Sequence, residues 1–255
     1  MTLTRMPFLS TVVYVVNFTE PDAKIRFKQA EIESAFSGFV SGQSHQTNVP
    51  DHENPSQARI IFGNDNKSIL FSQVSCQLQM SFSPTDITMG EQLRAVVKNV
   101  LDFHQRVQKV VPQDSLNHSG LVYDITFPSD SSVQSLQDYL FERFFKLEKL
   151  GRTASAQFTV GFEIDDLFLT LAAIAYENRK MELPVVAGRP TGLINILSMP
   201  VVAYGLQFKV DINDRPRHTD GPGSFTHPQH LLDAGEKFIK TQFEKFSGLE
   251  LGVTS

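Results

Sequence analysis

The chain has no tryptophan and a single cysteine, Cys76. One thiol cannot close an internal disulfide or build a cysteine-based zinc site. Cys76 stands among alternating apolar residues, where a cysteine packs as a small hydrophobe. No run of about 18 apolar residues occurs, so no membrane-spanning helix is expected. The apolar stretch 6–18 follows Arg5, but Tyr14 and Asn17 interrupt it and no small-residue cleavage site follows. It reads as a first strand rather than a signal peptide, and a cytoplasmic protein with no membrane contact is expected.

Other absences narrow the chemistry. There is no glycine-rich phosphate loop followed by lysine, no dinucleotide fingerprint, no nucleophile elbow and no zincin helix. No cofactor is therefore expected. Lys and Arg number 23 against 28 Asp and Glu, a net charge of -5. That balance argues against a general nucleic-acid binder, which needs a basic face. The first strand also lacks the alternating acidic residues of a triphosphate tunnel enzyme.

What the chain does contain is material for a core. Of 255 residues 41% are hydrophobic and 20% charged, a globular balance. The 21 phenylalanines supply large apolar area without a polar handle. The clearest pattern lies in residues 68–83. Val74, Cys76, Leu78, Met80 and Phe82 alternate there with Gln73, Ser75, Gln77, Gln79 and Ser81. Period two predicts one long strand with an apolar and a wet face.

The remaining elements follow in order. Strands are expected at 11–18, 57–62, 120–127, 157–164, 167–176, 193–197 and 202–212. Helices are expected at 26–40, 91–111, 133–150 and 228–246, each with an apolar stripe. Among the stripe residues are Ile32, Phe36 and Phe39, then Leu136, Leu140, Phe144 and Leu147. Residues 41–56 are polar and read as a long mobile loop. Hairpin turns are expected at 63–66 and at Asp165-Asp166. The order strand, helix, antiparallel strands, helix occurs twice, in 1–115 and in 116–255. The expected class is α+β: a mainly antiparallel curved sheet backed by helices, with two ferredoxin-like halves in pseudo-repeat packed as one unit.

Two segments carry a resemblance. They are Gly120-Leu121-Val122-Tyr123-Asp124-Ile125-Thr126-Phe127-Pro128 and Phe208-Lys209-Val210-Asp211-Ile212-Asn213, the latter leading to a helix that ends Gln242-Phe243-Glu244. Together with the element order they resemble a sporadically distributed family of uncharacterised bacterial proteins of about this length. That family often carries Arg where Val122 stands and Asp where Asn213 stands. The resemblance implies the doubled layout. It also implies a setting in phage defence or as the neutralising subunit of a toxin–antitoxin pair.

Three groups of residues are candidates for chemistry. Asp211, His218, His227 and His230 lie in a stretch rich in metal-ligating types, though their spacing matches no closed metal motif. A metal-dependent or nucleic-acid-processing subunit would use them. Glu163, Asp165 and Asp166 sit at a hairpin tip, where aspartate commonly serves the turn. The third group is the wet face: Gln73, Ser75, Gln77, Gln79, Gln157, Thr159 and Gln207. These side chains are polar yet uncharged, and charge depletion is the mark of an interface centre. The expectation is a non-enzymatic interaction subunit whose partner is a second protein or another copy of itself.

Overall fold

The computed structural model describes residues 6–64, 66–84, 87–180, 185–186, 189–190, 199–218 and 227–252. The expected strand 193–197 and residues 219–226, between His218 and His227, lie outside these residues. Among them, eleven strands form: β1 (Phe8–Phe18), β2 (His45–Gln46), β3 (Ile60–Gly63), β4 (Lys67–Phe71), β5 (Ser75–Ser81), β6 (Leu116–Ser129), β7 (Gln157–Ile164), β8 (Leu167–Arg179), β9 (Val185–Val186), β10 (Arg189–Pro190) and β11 (Val201–Asn213). The helices are α1 (Gln29–Ala35), α2 (Met89–Val107), α3 (Val133–Phe144), α4 (Gln229–Thr241) and α5 (Phe243–Ser247).

Nine strands make one sheet in the order β2-β3-β4-β5-β1-β6-β11-β8-β7, and every pairing in it is antiparallel. The first strand of each half therefore lies at the centre, with the other strands of that half stepping outward to one edge. Between its helices the first half runs β2, β3, β4 and β5 and the second contributes β7, β8 and β11 to the sheet, where a ferredoxin-like unit runs two strands. The β1–β6 pair carries the ladder across the point between the two halves.

The five helices cover one face of the sheet. On α2, Phe103 packs edge-on to Tyr14 of β1. Phe36, just after α1, packs against Phe62 and Phe71. Phe144 of α3 stacks on Phe158 of β7 at 4.4 Å. Phe243 of α5 meets Phe127 and Phe208. On α4, Gly235 lets the helix settle onto Tyr123, where an added Cβ would lie 2.7 Å from the ring. Cys76, Leu78 and Met80 point into this layer and are buried. Burial raises the Cys76 thiol far above its ordinary range.

Several elements differ from the expectation, each for a local reason. The single strand at 68–83 is two strands, because Ser72, Gln73 and Val74 form a turn. In it Ser75 N donates to Ser72 Oγ at 2.9 Å. Val74 is half-buried and Gln73 is buried, the reverse of the expected register at these two positions. The helix at 26–40 is a 3-10 turn, Ile25–Lys28, followed by the short α1. The loop 41–56 is held rather than loose. Arg59, fully buried, donates to the carbonyls of Pro50, Glu53, Asn54 and Gln57. Arg26 donates to those of Thr47 and Val49.

α3 stops at Phe144, and the chain doubles back along it. Lys149 pairs with Asp138 and Glu142, and Ala156 N donates to Gln137. Leu147 and Leu150 are consequently exposed, at 70% and 103%. The last helix breaks at Gln242 into α4 and α5, and Gly248 in the left-handed region ends it. α2 begins where a capping box closes between Thr88 and Glu91. Among the described residues no helix is long and apolar enough to cross a membrane.

Candidate functional site

Among the described residues no element covers the face opposite the helices, and the strand register fixes what it shows. Gln79 lies beside Val13, which lies beside Val122. In the next row Leu70, Gln77, Val15 and Gly120 follow one another. Ser75 stands beside Asn17, and Ser81 beside Thr11. All of these residues are half-buried. Over β4, β5, β1 and the start of β6 the open face therefore carries valine and leucine ringed by glutamine and serine, with no charged side chain. A hollow of about 60 Å³ lined by Ser56, Ala58, Leu70, Ser72, Ser75 and Gln77 opens at its margin.

Charge appears on the far side of the centre. Asp124 of β6 faces Lys209 of β11, and Asp211 follows two residues on. Burial raises the Asp124 carboxyl above its usual range, against the opposing pull of Lys209. Asp124 Oδ1 and Asn213 Oδ1 are buried and accept no hydrogen bond among the described residues. Thr126 is buried here and donates to Ser10 Oγ at 2.9 Å.

The expected interface residues thus separate into groups. Ser75, Gln77 and Gln79 share the uncharged patch on β5. Gln207 lies on the same face but on β11, and Gln157 and Thr159 on β7 at the sheet edge. Five strand spacings separate β5 from β7, or about 24 Å. Gln73 does not belong to the face. Its side chain donates to the Asp51 carbonyl at 3.0 Å, inside the turn region.

The metal-type residues are also divided. Asp211 projects from the open face, while His230 sits on α4 across the sheet. His227 is exposed. Its Nδ1 accepts from Gln229 N at 3.3 Å, and its ring lies 5.7 Å from that of His104. The side chain of His218 lies outside the described residues. Among the described residues no group of three or more His, Cys, Asp or Glu is placed to hold a metal ion.

His230 instead meets the β7–β8 turn. Its Nε2 lies 3.1 Å from Asp166 Oδ1, and Arg217 pairs with Asp166 Oδ2. Asp165, at φ 55°, supplies the left-handed residue of that turn. A cavity of about 270 Å³ opens beside these groups. Ile164, Leu167, Leu169 and Ile212 form its floor, and Asp233, Lys237 and Phe238 are in its wall. Among the described residues the lining holds no serine, threonine or cysteine. What the pair does is tie α4 and the Arg215–His218 turn to the hairpin tip.

No protein-family model matches this chain, and no curated protein matches it.

Sequence reasoning placed Asp214 in the metal-type stretch with Asp211 and the histidines, but missed its burial against Ser119, and it missed Arg59 and the Asp166–His230 contact. Asp214 is fully buried and accepts from Ser119 N at 2.6 Å. Partners 64 and 95 residues apart leave no local spacing signal.

Proposed function

We propose that the chain is a protein-interaction subunit whose open sheet face docks a partner protein, without chemistry of its own. The observation that carries this reading is the uncharged, half-buried patch around Val13, Val15, Leu70, Gln77, Gln79 and Val122 on a sheet whose described helices all lie on the other side. An ordinary solvent face would carry more lysine and glutamate. Sheets buried on both faces carry apolar residues on both, and a partner's surface would complete that second layer here. The hollow beside Leu70 offers a seat for one anchoring side chain.

The doubled ferredoxin-like layout belongs to this reading: two halves, each extended by further meander strands, together would produce a face wide enough to dock a whole domain. Nine strands span roughly 40 Å at the usual strand spacing. A standard interface needs about 800 Å² per partner, which such a face exceeds. The setting, phage defence or toxin neutralisation in the cytoplasm, rests on the family resemblance alone. The test is a paired substitution, Gln77→Lys with Gln79→Lys. It should leave the fold intact and abolish recovery of the partner.

A further inference from the structure

The two edges of the sheet are unequally protected. At one end β2 is only two residues long, and the polar loop that follows it is fastened by Arg26 and Arg59. A short, covered edge of this kind resists pairing with another chain. At the other end β7 runs for eight residues and, among the described residues, pairs only with β8. Its sequence, QFTVGFEI, holds no proline, lysine or arginine, the residues that ordinarily blunt an edge. Six of its eight residues are exposed, Phe162 at 44% and Ile164 at 46%.

We propose that β7 is a pairing edge for a second copy of the chain, joined antiparallel across a two-fold axis so that two nine-stranded sheets become one. The strand is complementary to itself. In an antiparallel ladder, facing residues point to the same side, so the axis must pass through a residue. Through Val160, Phe158 faces Phe162 of the partner subunit, and Gln157 faces the partner's Glu163. Through Gly161, Val160 faces the partner's Phe162, Phe158 faces the partner's Ile164, and Thr159 faces the partner's Glu163. In either register apolar side chains meet on the helix side. Glu163, the one charged residue of β7, meets a neutral polar group and never its own copy. Like charges directly opposite would oppose pairing, and here there are none.

This inference is independent of the open-face reading, since it uses the edge and leaves that face free. The experiment uses the full chain. Light scattering and sedimentation should give twice the chain mass, and Phe162→Lys with Ile164→Lys should return the mass to that of one chain. Both side chains are nearly half exposed, and circular dichroism verifies that the variant is folded. The second arm adds a cysteine, either Val160→Cys or Gly161→Cys. Cys76 is buried, so the new thiol is the accessible one. A Cβ at Gly161 meets nothing closer than Thr170 Oγ1 at 3.9 Å. A residue on the axis lies about 4.5–5.5 Å from its own copy, within disulfide reach. One of the two variants should therefore cross-link on mild oxidation, while Gln79→Cys on the open face should not. A single-chain mass at every concentration overturns the proposal. So does a dimer that cross-links through Gln79→Cys and through neither β7 position, which would assign self-association to the open face instead.

Discussion

Arg59 and Asp51 meet at 3.4 Å, Nε to Oδ1, and the guanidinium beyond that contact is spent on the backbone of the loop that carries Asp51. Arg59 is fully buried, and Arg26 binds the same carboxylate at 2.7 Å. The Arg26 hydrogen bond, with both positive charges behind it, holds the Asp51 carboxyl below its usual range. A polar loop is thereby made into a fixed edge cover for β3.

Arg59→Met should leave the carbonyls of Pro50, Glu53 and Asn54 without their donor. Unsatisfied buried groups cost about 1–3 kcal/mol each, so a loss on the order of 3 kcal/mol is expected in urea unfolding. Native-state proteolysis should also begin within residues 47–57. Unchanged stability with an uncut loop would show that the loop is held by other means.

Leu78→Ala should destabilise the chain by roughly 2–5 kcal/mol, because Leu78 is fully buried under α2. Leu150→Ala should cost nothing measurable, since Leu150 is fully exposed. Equal effects from both substitutions would contradict the register.

Much of this architecture is legible in the sequence, and the limits have physical causes. Alternation at Cys76, Leu78 and Met80 fixes the inner face of β5, because period two survives any partner. The turn at Gln73 is hidden, because a serine side chain closes it and neither glycine nor proline marks it. Leu147 and Leu150 continue the helical stripe of α3. The helix nonetheless ends at Phe144, where the returning chain offers Lys149 and Ala156 to its polar face. The wet face is readable as a list of residues. Its division into an uncharged patch and a charged far side depends on strand order, which periodicity does not encode.

Gly205→Ala should be among the most damaging single changes. Its added Cβ would lie 2.3 Å from the Phe127 carbonyl oxygen, a backbone atom that cannot swing aside. Gly151, with nothing within 4 Å, is the matched control. Comparison of melting temperatures decides this. Equal shifts would mean that the approach of β11 to β6 is looser than described.

His104 gives the chain a pH response. Burial first, and His227 second, push its imidazole from the ordinary 6.5 down to about 4. As pH falls, the unfolded chain takes up a proton near 6.5 but the folded chain only near 4. Stability is therefore full above 6.5 and declines as pH drops through that window. Asp51 and Glu91, held low by hydrogen bonds from Arg26 and from Thr88 N, act with the same sign lower in the range. The urea midpoint should fall between about pH 7 and about pH 5, and His104→Leu should flatten that fall. Identical slopes in both proteins would assign the response to other groups.

The open face is tested most directly by partner recovery from cells that naturally make the protein. The tagged chain is compared with the Gln77→Lys, Gln79→Lys double variant. A Gln43→Lys, His52→Lys variant of the exposed loop adds the same charge elsewhere. Two lysines in the uncharged patch would be buried without counter-charges on binding, which disfavours docking strongly. The account predicts one protein recovered in fixed ratio with the parent chain and with the loop variant, and lost with the double variant at unchanged melting temperature. Undiminished recovery of that protein with both Gln77→Lys and Gln79→Lys in place would contradict it.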